Sequence, residues 1–283
     1  MNFSIKNDSK IIDIKTDKEI EFYKKENLNM LAKIINRETG INESSIYLPP
    51  RIMYINNWYK LNGKWCFYKQ MDSLSIVNQF LGEKVSNYFD LPSAHYQLAK
   101  KDNKYGVVTP NFCEKNTTYK TLKDYKIKYP KDFDIFKLLI DLCSNEDEYN
   151  RLLNDIKKIM IRDLYTWEYD RTNHNLMFKE KSGIEVAPLY DYEKSFNANY
   201  LCPYIYSSVL GTFDLKEKDT QEFIRNDEMF QSLLNKLMDI DIIEMLSEIE
   251  MENDIALDEK LKDNYKDYNA KIKLMIRKNK LLR

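Results

Sequence analysis

The chain has 283 residues, with 44 Lys or Arg against 45 Asp or Glu, for a net charge of −1. A chain of this length buries a substantial core, as one domain or as two lobes of one unit. The near-cancelling charge gives no global electrostatic case for nucleic-acid binding, which shows as a strongly basic face or domain.

The N-terminal residues are polar and lack the apolar centre of a signal peptide. Residues 17–37 alternate charge with Ile20, Tyr23, Leu28, Leu31, Ile34 and Ile35, which predicts an amphipathic helix. Pro49-Pro50 breaks the chain, and residues 52–55 start an extended region. Residues 58–61 and 64–69 are β-prone runs flanking Asn62-Gly63, the strongest short hairpin signal. Residues 74–89 read as a helix with Ile76, Phe80, Val85 and Phe89 apolar, and 94–100 with 105–109 as a second strand pair. From residue 120 the pattern turns helical, with Phe136, Leu139 and Ile140 in 133–142 and Leu152, Ile156, Ile159 and Met160 in 148–164. Leu176-Met177-Phe178 is a short apolar strand, 179–183 a polar turn, and 186–189 brings the chain back.

Residues 227–249 form a further helical block, whose Met229, Leu233, Leu237 and Met238 read as core. Residues 257–282 carry a long helical pattern. From Lys271 onward there are six basic and no acidic residues. This reads as a solvated face favoured by the helix C-terminal dipole, the other reading being a docking patch for nucleic acid or an acidic partner.

Cys66, Cys113, Cys143 and Cys202 are scattered without a Cys-x-x-Cys pair, and there are two histidines. The expectation is reduced thiols in a cytoplasmic protein and no zinc site. No apolar run approaches the roughly 20 residues of a membrane span. The six glycines lie too far apart for a phosphate-cradling loop. This disfavours a Walker NTPase, a dinucleotide-binding unit and the glycine-rich loop of eukaryotic protein kinases. Any ATP phosphates must then be covered by another loop.

The chemistry concentrates between Tyr165 and Phe196. Asp170 and Asn175 stand five residues apart, and Asp191 follows the short hairpin. Kinase chemistry uses an Asp to accept the substrate hydroxyl proton, an Asn five positions later to hold magnesium, and an Asp beyond a hairpin to hold metal between phosphates. Two or three hard oxygen ligands suffice for magnesium when phosphate oxygens complete the shell. Strand, strand, helix, strand, strand is also the order of a kinase small lobe. In that order Lys69 ends the hairpin strand, where the phosphate-pairing lysine sits. Glu83 is its helix partner, with Gln79 four residues earlier on the same face.

The run Asp-Arg-x-x-x-Asn-x-x-Phe followed by Ala-Pro-Leu-Tyr-Asp resembles the catalytic segment of HipA-like kinases, the serine/threonine kinases of bacterial toxin–antitoxin systems and their relatives. The likeness extends to Tyr-x-Leu-Asn-Gly-Lys-Trp-x-Phe-Tyr-Lys, to Leu91-Pro92-Ser93-Ala94-x-Tyr96 and to residues 106–112, so it spans roughly 58–196. The family carries His two residues after the catalytic Asp. Here that position is Thr172, with His174 two further on. The resemblance implies Asp170 as catalytic base, Asn175 and Asp191 as metal ligands, ATP and magnesium as cofactors, and a protein Ser or Thr as acceptor. It also implies a toxin–antitoxin setting with an antitoxin partner.

The expected fold is therefore α+β and bilobal, protein-kinase-like. Residues 1–110 would form a β-rich N-lobe and 111–283 a larger helical C-lobe, with the hinge near 109–116. The expected function is γ-phosphoryl transfer to a hydroxyl, without direct nucleic-acid or membrane binding. The alternative is a catalytically inactive binding protein on the same fold. A metal-dependent phosphodiesterase using Asp170 and Asp191 is weaker, because two-metal hydrolases gather more carboxylates or histidines.

Overall fold

The computed structural model describes residues 2–15, 17–26, 28–39, 57–125, 135–168, 171, 175–197, 205–208 and 211–283. Pro49-Pro50, residues 52–55, Asp170, Thr172 and His174 lie outside the described residues. The architecture is α+β and bilobal, a curled sheet with one long helix beside a larger helical part.

The small lobe is a five-stranded sheet. Its strands are β2 (Ile12–Asp13), β3 (Trp58–Leu61), β4 (Lys64–Gln70), β5 (Gln97–Lys101) and β6 (Lys104–Pro110), in the order β2-β5-β6-β4-β3. Asn62 at φ 50° and Gly63 at φ 78° close the β3–β4 hairpin. Two left-handed residues give the turn a twist that matches the strands. Asp102 and Asn103, also at positive φ, close β5–β6 in the same way. Helix α3 (Ser73–Tyr88) follows β4 and is capped by Asp72, whose carboxylate accepts the Leu74 and Ser75 N–H groups.

The amphipathic pattern of 17–37 is realised as two helices, α1 (Lys18–Glu26) and α2 (Leu28–Thr39). Ile20, Leu31 and Ile35 pack with Trp58 and Trp65 on one face of the sheet. Strand β1 (Phe3–Ile5) leaves the small-lobe sheet altogether and pairs with β12 (Ile255–Leu257) far along the chain.

The larger lobe is built on α5 (Glu146–Thr166), capped by Asn145 and ended by Trp167 in the left-handed region. Around it lie α4 (Ile135–Leu142), α6 (Lys218–Asn226), α7 (Glu228–Met238), α8 (Ile242–Asn253) and α9 (Glu259–Lys278). The block expected over 227–249 is two helices, because Asp227 and Asp241 each cap a new N-terminus. Strands β7 (Thr118–Thr121), β8 (Met177–Glu180) and β9 (Ile184–Val186) form a three-stranded sheet in that order. Strand β7 is an element not named from the sequence, lying where the pattern begins to turn helical at residue 120; its Thr-Tyr-Lys-Thr is β-prone, but too short to register as a period. Strands β10 (Ile205–Ser208) and β11 (Gly211–Asp214) pair as a separate hairpin.

One apolar cluster runs through both lobes. Phe80, Leu81 and Val85 of α3 join Ile159, Met160 and Leu164 of α5 and Leu246 and Ile249 of α8. Lys84 adds ion pairs from α3 to Glu248 and Glu252 of α8, at 2.8 and 2.6 Å. Of the C-terminal basic residues, Lys273 donates to the Ile240 carbonyl and Arg283 to the Arg225 carbonyl. Among the described residues, no helix is long and apolar enough to cross a membrane.

Candidate active site

The site lies where the C-terminal end of β4 meets the segment after β9. The β8–β9 hairpin has Phe178 opposite Val186, and the Ala187 N–H donates to the Met177 carbonyl at 2.9 Å. An antiparallel hairpin returns the chain to its starting end, so the segments carrying Asn175 and Asp191 leave on the same side. The incoming chain is stitched to residues 92–94: Leu189 donates to Pro92 and Ala94 donates to Leu189, both at 2.8 Å. The Asp191 N–H then donates to the Tyr96 hydroxyl at 3.0 Å. Asp191 itself sits at φ 65°. Asp and Asn adopt this left-handed conformation more readily than other side chains.

Lys69 reaches this segment from the other lobe. Its Nζ lies 2.7 Å from Asp191 Oδ1 and 2.9 Å from Glu193 Oε2. The three side chains are 33, 29 and 25% exposed, so solvent reaches all of them. Burial works against the Lys69 ammonium, but Asp191 and Glu193 outweigh it and raise its pKa above the ordinary lysine value.

Helix α3 holds the segment without supplying an acid to the lysine. Gln79 Oε1 accepts the Tyr192 N–H at 3.0 Å, and Asn78 Nδ2 donates to the Glu193 carbonyl at 2.9 Å. Asn78 is fixed in turn by the Tyr265 hydroxyl, which donates to its Oδ1 at 2.6 Å. The Tyr192 ring lies so close to Gly82 that a Cβ there would sit 2.3 Å from Cγ of the ring. The Tyr192 hydroxyl lies 2.8 Å from Ser93 Oγ and accepts from Ser86 Oγ at 3.3 Å.

Glu83, expected beside Lys69, is engaged elsewhere. Its two oxygens meet His95 Nδ1 at 2.8 Å and the Tyr96 N–H at 2.9 Å. Tyr96 passes the helix just before β5 with a free backbone donor, and Glu83 is the acceptor within reach. Among the described residues, the acids paired with Lys69 are Asp191 and Glu193.

Beneath the site lies a second group of charges, all buried. Arg171 donates to both carboxylate oxygens of Asp163, at 2.9 and 3.0 Å, and to the Asn175 carbonyl at 2.9 Å. Arg162 donates to Asp163 Oδ1 at 2.7 Å and to Ser86 Oγ at 3.2 Å. Its guanidinium lies 4.4 Å from the centre of the Tyr192 ring. Ser195 donates to Glu168 through a short hydrogen bond. Burial pushes the Glu168 carboxyl up, and the two arginines only partly offset it. Through Arg171 this cluster pins the backbone at Asn175. Asp170 itself lies outside the described residues.

Glu193, Asp163 and Tyr192 were not singled out from the sequence. Two signals pointed to them: the acid–aromatic–acid alternation of Asp191-Tyr192-Glu193, and Arg162-Asp163 interrupting the apolar run Ile159-Met160-Ile161 with Leu164. Beside the ion pairs, Tyr119, Met177 and Ala187 form a small apolar cluster with Phe112, Cys113 and Tyr190. The Phe112 and Tyr190 rings are 6.1 Å apart, and burial pushes the Cys113 thiol up to about 12.

This arrangement of lobes is the kinase-like fold. Solved structures that share it include the following two. One is the Helicobacter pylori proinflammatory kinase CtkA, at TM-score 0.54 and 14% identity, over 79% of this chain and 89% of that one. The other is HipA of Shewanella oneidensis MR-1, solved with HipB and operator DNA, at TM-score 0.52 and 14% identity, over 78% of this chain. This chain spans 62% of that HipA chain. No family model matches the sequence, and no curated protein matches it by sequence.

Proposed function

We infer that the protein is a HipA-like kinase that transfers the γ-phosphoryl group of ATP to a hydroxyl, with a protein Ser or Thr as acceptor. The observation that carries this reading is the meeting of Lys69 with Asp191, 2.7 Å apart across the two lobes of a kinase-like fold. The residues fit magnesium. Asp191 offers a partly exposed carboxylate and Asn175 a side-chain amide, both hard oxygen donors. A magnesium site of one or two carboxylates is completed by substrate phosphates. Asn175 and Asp191 would hold the ion, which when bound neutralises charge between the phosphates.

The chain's own residues do the rest. Lys69 orients the phosphates, and Asp170 aligns and deprotonates the acceptor. The Arg171–Asp163 pair fixes the backbone at Asn175. Positioning and charge neutralisation supply most of the rate in this chemistry. The lobe division would fall at 1–110 and 111–283, putting Lys69 and Glu83 in the small lobe and Asp170, Asn175 and Asp191 in the large one. The HipA structure was solved with HipB, and an antitoxin-like protein is accordingly the partner we would look for first.

A second reading, a binding protein that keeps the fold without transfer, is favoured by Lys69 being satisfied by two acids of its own chain. Incubation with labelled ATP and magnesium separates the two. Label on protein that disappears in Asp170→Asn, with nucleotide binding retained, supports the kinase. Nucleotide binding without label in any fraction supports the second reading.

A further inference from the structure

Asp191 holds the Lys69 ammonium through one carboxylate oxygen, Oδ1. In the kinase reading, on which this inference rests, the same carboxylate also holds magnesium. Sharing that carboxylate with a metal cation weakens its hold on the ammonium, so a lysine held by Asp191 alone would be less firmly placed when the nucleotide and its metal arrive. The usual remedy is an acid on the helix after the lysine strand. Helix α3 has none available, because Glu83 is bound to His95 and the Tyr96 N–H, and position 79 is a Gln bound to Tyr192.

We propose that Glu193 is the positioning acid of Lys69, keeping the ammonium in place when Asp191 turns to the metal. Its carboxylate is 2.9 Å from Nζ without any rearrangement. The backbone behind it is built for the task. Consecutive buried amides of α3, Asn78 and Gln79, grip the Glu193 carbonyl and the Tyr192 N–H, and Tyr265 braces Asn78 from α9. Tyr192 is buried against Gly82, so the two acids on either side of it face the lysine. The helix thus acts through the segment it clamps, and the acid has moved from the helix to a site two residues beyond the metal-binding Asp.

The test uses the full chain and reads the lysine directly. Modification of Lys69 by an acylating reagent is followed by peptide mass spectrometry at pH 9–10, without nucleotide or metal. In Asp191→Asn the remaining Glu193 should keep Lys69 nearly as protected as in the parent. Adding Glu193→Gln should then raise the modification rate about tenfold, one pKa unit's worth. Adding Glu193→Asp should give a smaller rise. Equal rates in Asp191→Asn and Asp191→Asn/Glu193→Gln overturn the proposal. A second arm measures turnover. Glu193→Gln should lower kcat and raise the KM for ATP together, with partial rescue in Glu193→Asp; unchanged kinetics in Glu193→Gln also overturn it. If the parent protein neither binds ATP nor transfers phosphate, the kinase reading fails, while the modification arm still decides whether Glu193 holds Lys69.

Discussion

Two groups of charge lie on either side of Tyr192 and are treated in opposite ways. Below it, Arg162, Asp163 and Arg171 are at most 2% exposed, and every carboxylate oxygen of Asp163 meets a guanidinium. Above it, Lys69, Asp191 and Glu193 are a quarter to a third exposed. Charges taken out of water must be fully paired within the protein, and removing one partner leaves the other stranded. Charges still in contact with water can exchange partners at little cost. The lower group is therefore scaffold for the loop at Asn175, and the upper group is free to rearrange around a ligand.

The largest effect should come from breaking the lower group. Asp163→Asn removes the carboxylate that Arg162 and Arg171 share, leaving Glu168 as the nearest remaining acid, and should cost about 3–5 kcal/mol, read as a fall in the urea midpoint. A cost no greater than that of Lys69→Ala would end the distinction between the two groups. Gly82→Ala comes next. Its new methyl would press on Tyr192, for about 1–3 kcal/mol of overpacking. The penalty should shrink in a Tyr192→Ala background, because the two changes share one contact. Equal penalties in both backgrounds would mean that the ring is not what closes on the helix.

Lys69→Ala should sit well below both, at less than ~1 kcal/mol for a solvent-screened pair. Its effect should appear on ligand binding. Millimolar ATP with magnesium should raise the melting temperature of the parent by mass action, and the rise should be lost in Lys69→Ala and reduced in Asp191→Asn. A variant as unstable as Asp163→Asn would place Lys69 with the scaffold instead.

The same division explains what could be read from the sequence. The β3–β4 hairpin, α3 and the β5–β6 pair are local, and their signals are local: Asn62-Gly63, the Asp72 cap, and apolar residues at helical spacing. Lys69 and Asp191 follow from strand order and the hairpin after Asn175. The lower group was hidden because its pairing joins α5, α3 and the loop at Arg171, and no spacing rule reports contacts between distant segments. That Glu83 meets His95 and Tyr96 and not Lys69 was hidden for the same reason. A helical face gives the direction of a side chain but not which neighbour arrives there, and what arrived was Tyr96. Strand β7 escaped because four residues cannot establish a period.

The smallest expected effect tests how far the upper group extends. Glu83 does not touch Lys69, but it holds the Tyr96 N–H, and the Tyr96 hydroxyl accepts from the Asp191 N–H. His95 is the outermost member of this chain. The Glu83 carboxylate beside it raises its pKa above the ordinary histidine value, with burial opposing. A group whose pKa is raised on folding contributes stability that is fully present below the unfolded value, about 6.5. That contribution is lost as pH rises through the higher folded value. His95 is largely exposed, so the gain is solvent-screened and should stay under ~1 kcal/mol. His95→Gln should therefore melt below the parent at pH 6, and the gap should be smaller at a pH above the raised folded value, where the parent's histidine has deprotonated. An equal gap at both pH values would show that the imidazole contributes packing alone. A closing gap would carry the solvent-exchangeable network one residue beyond Glu83.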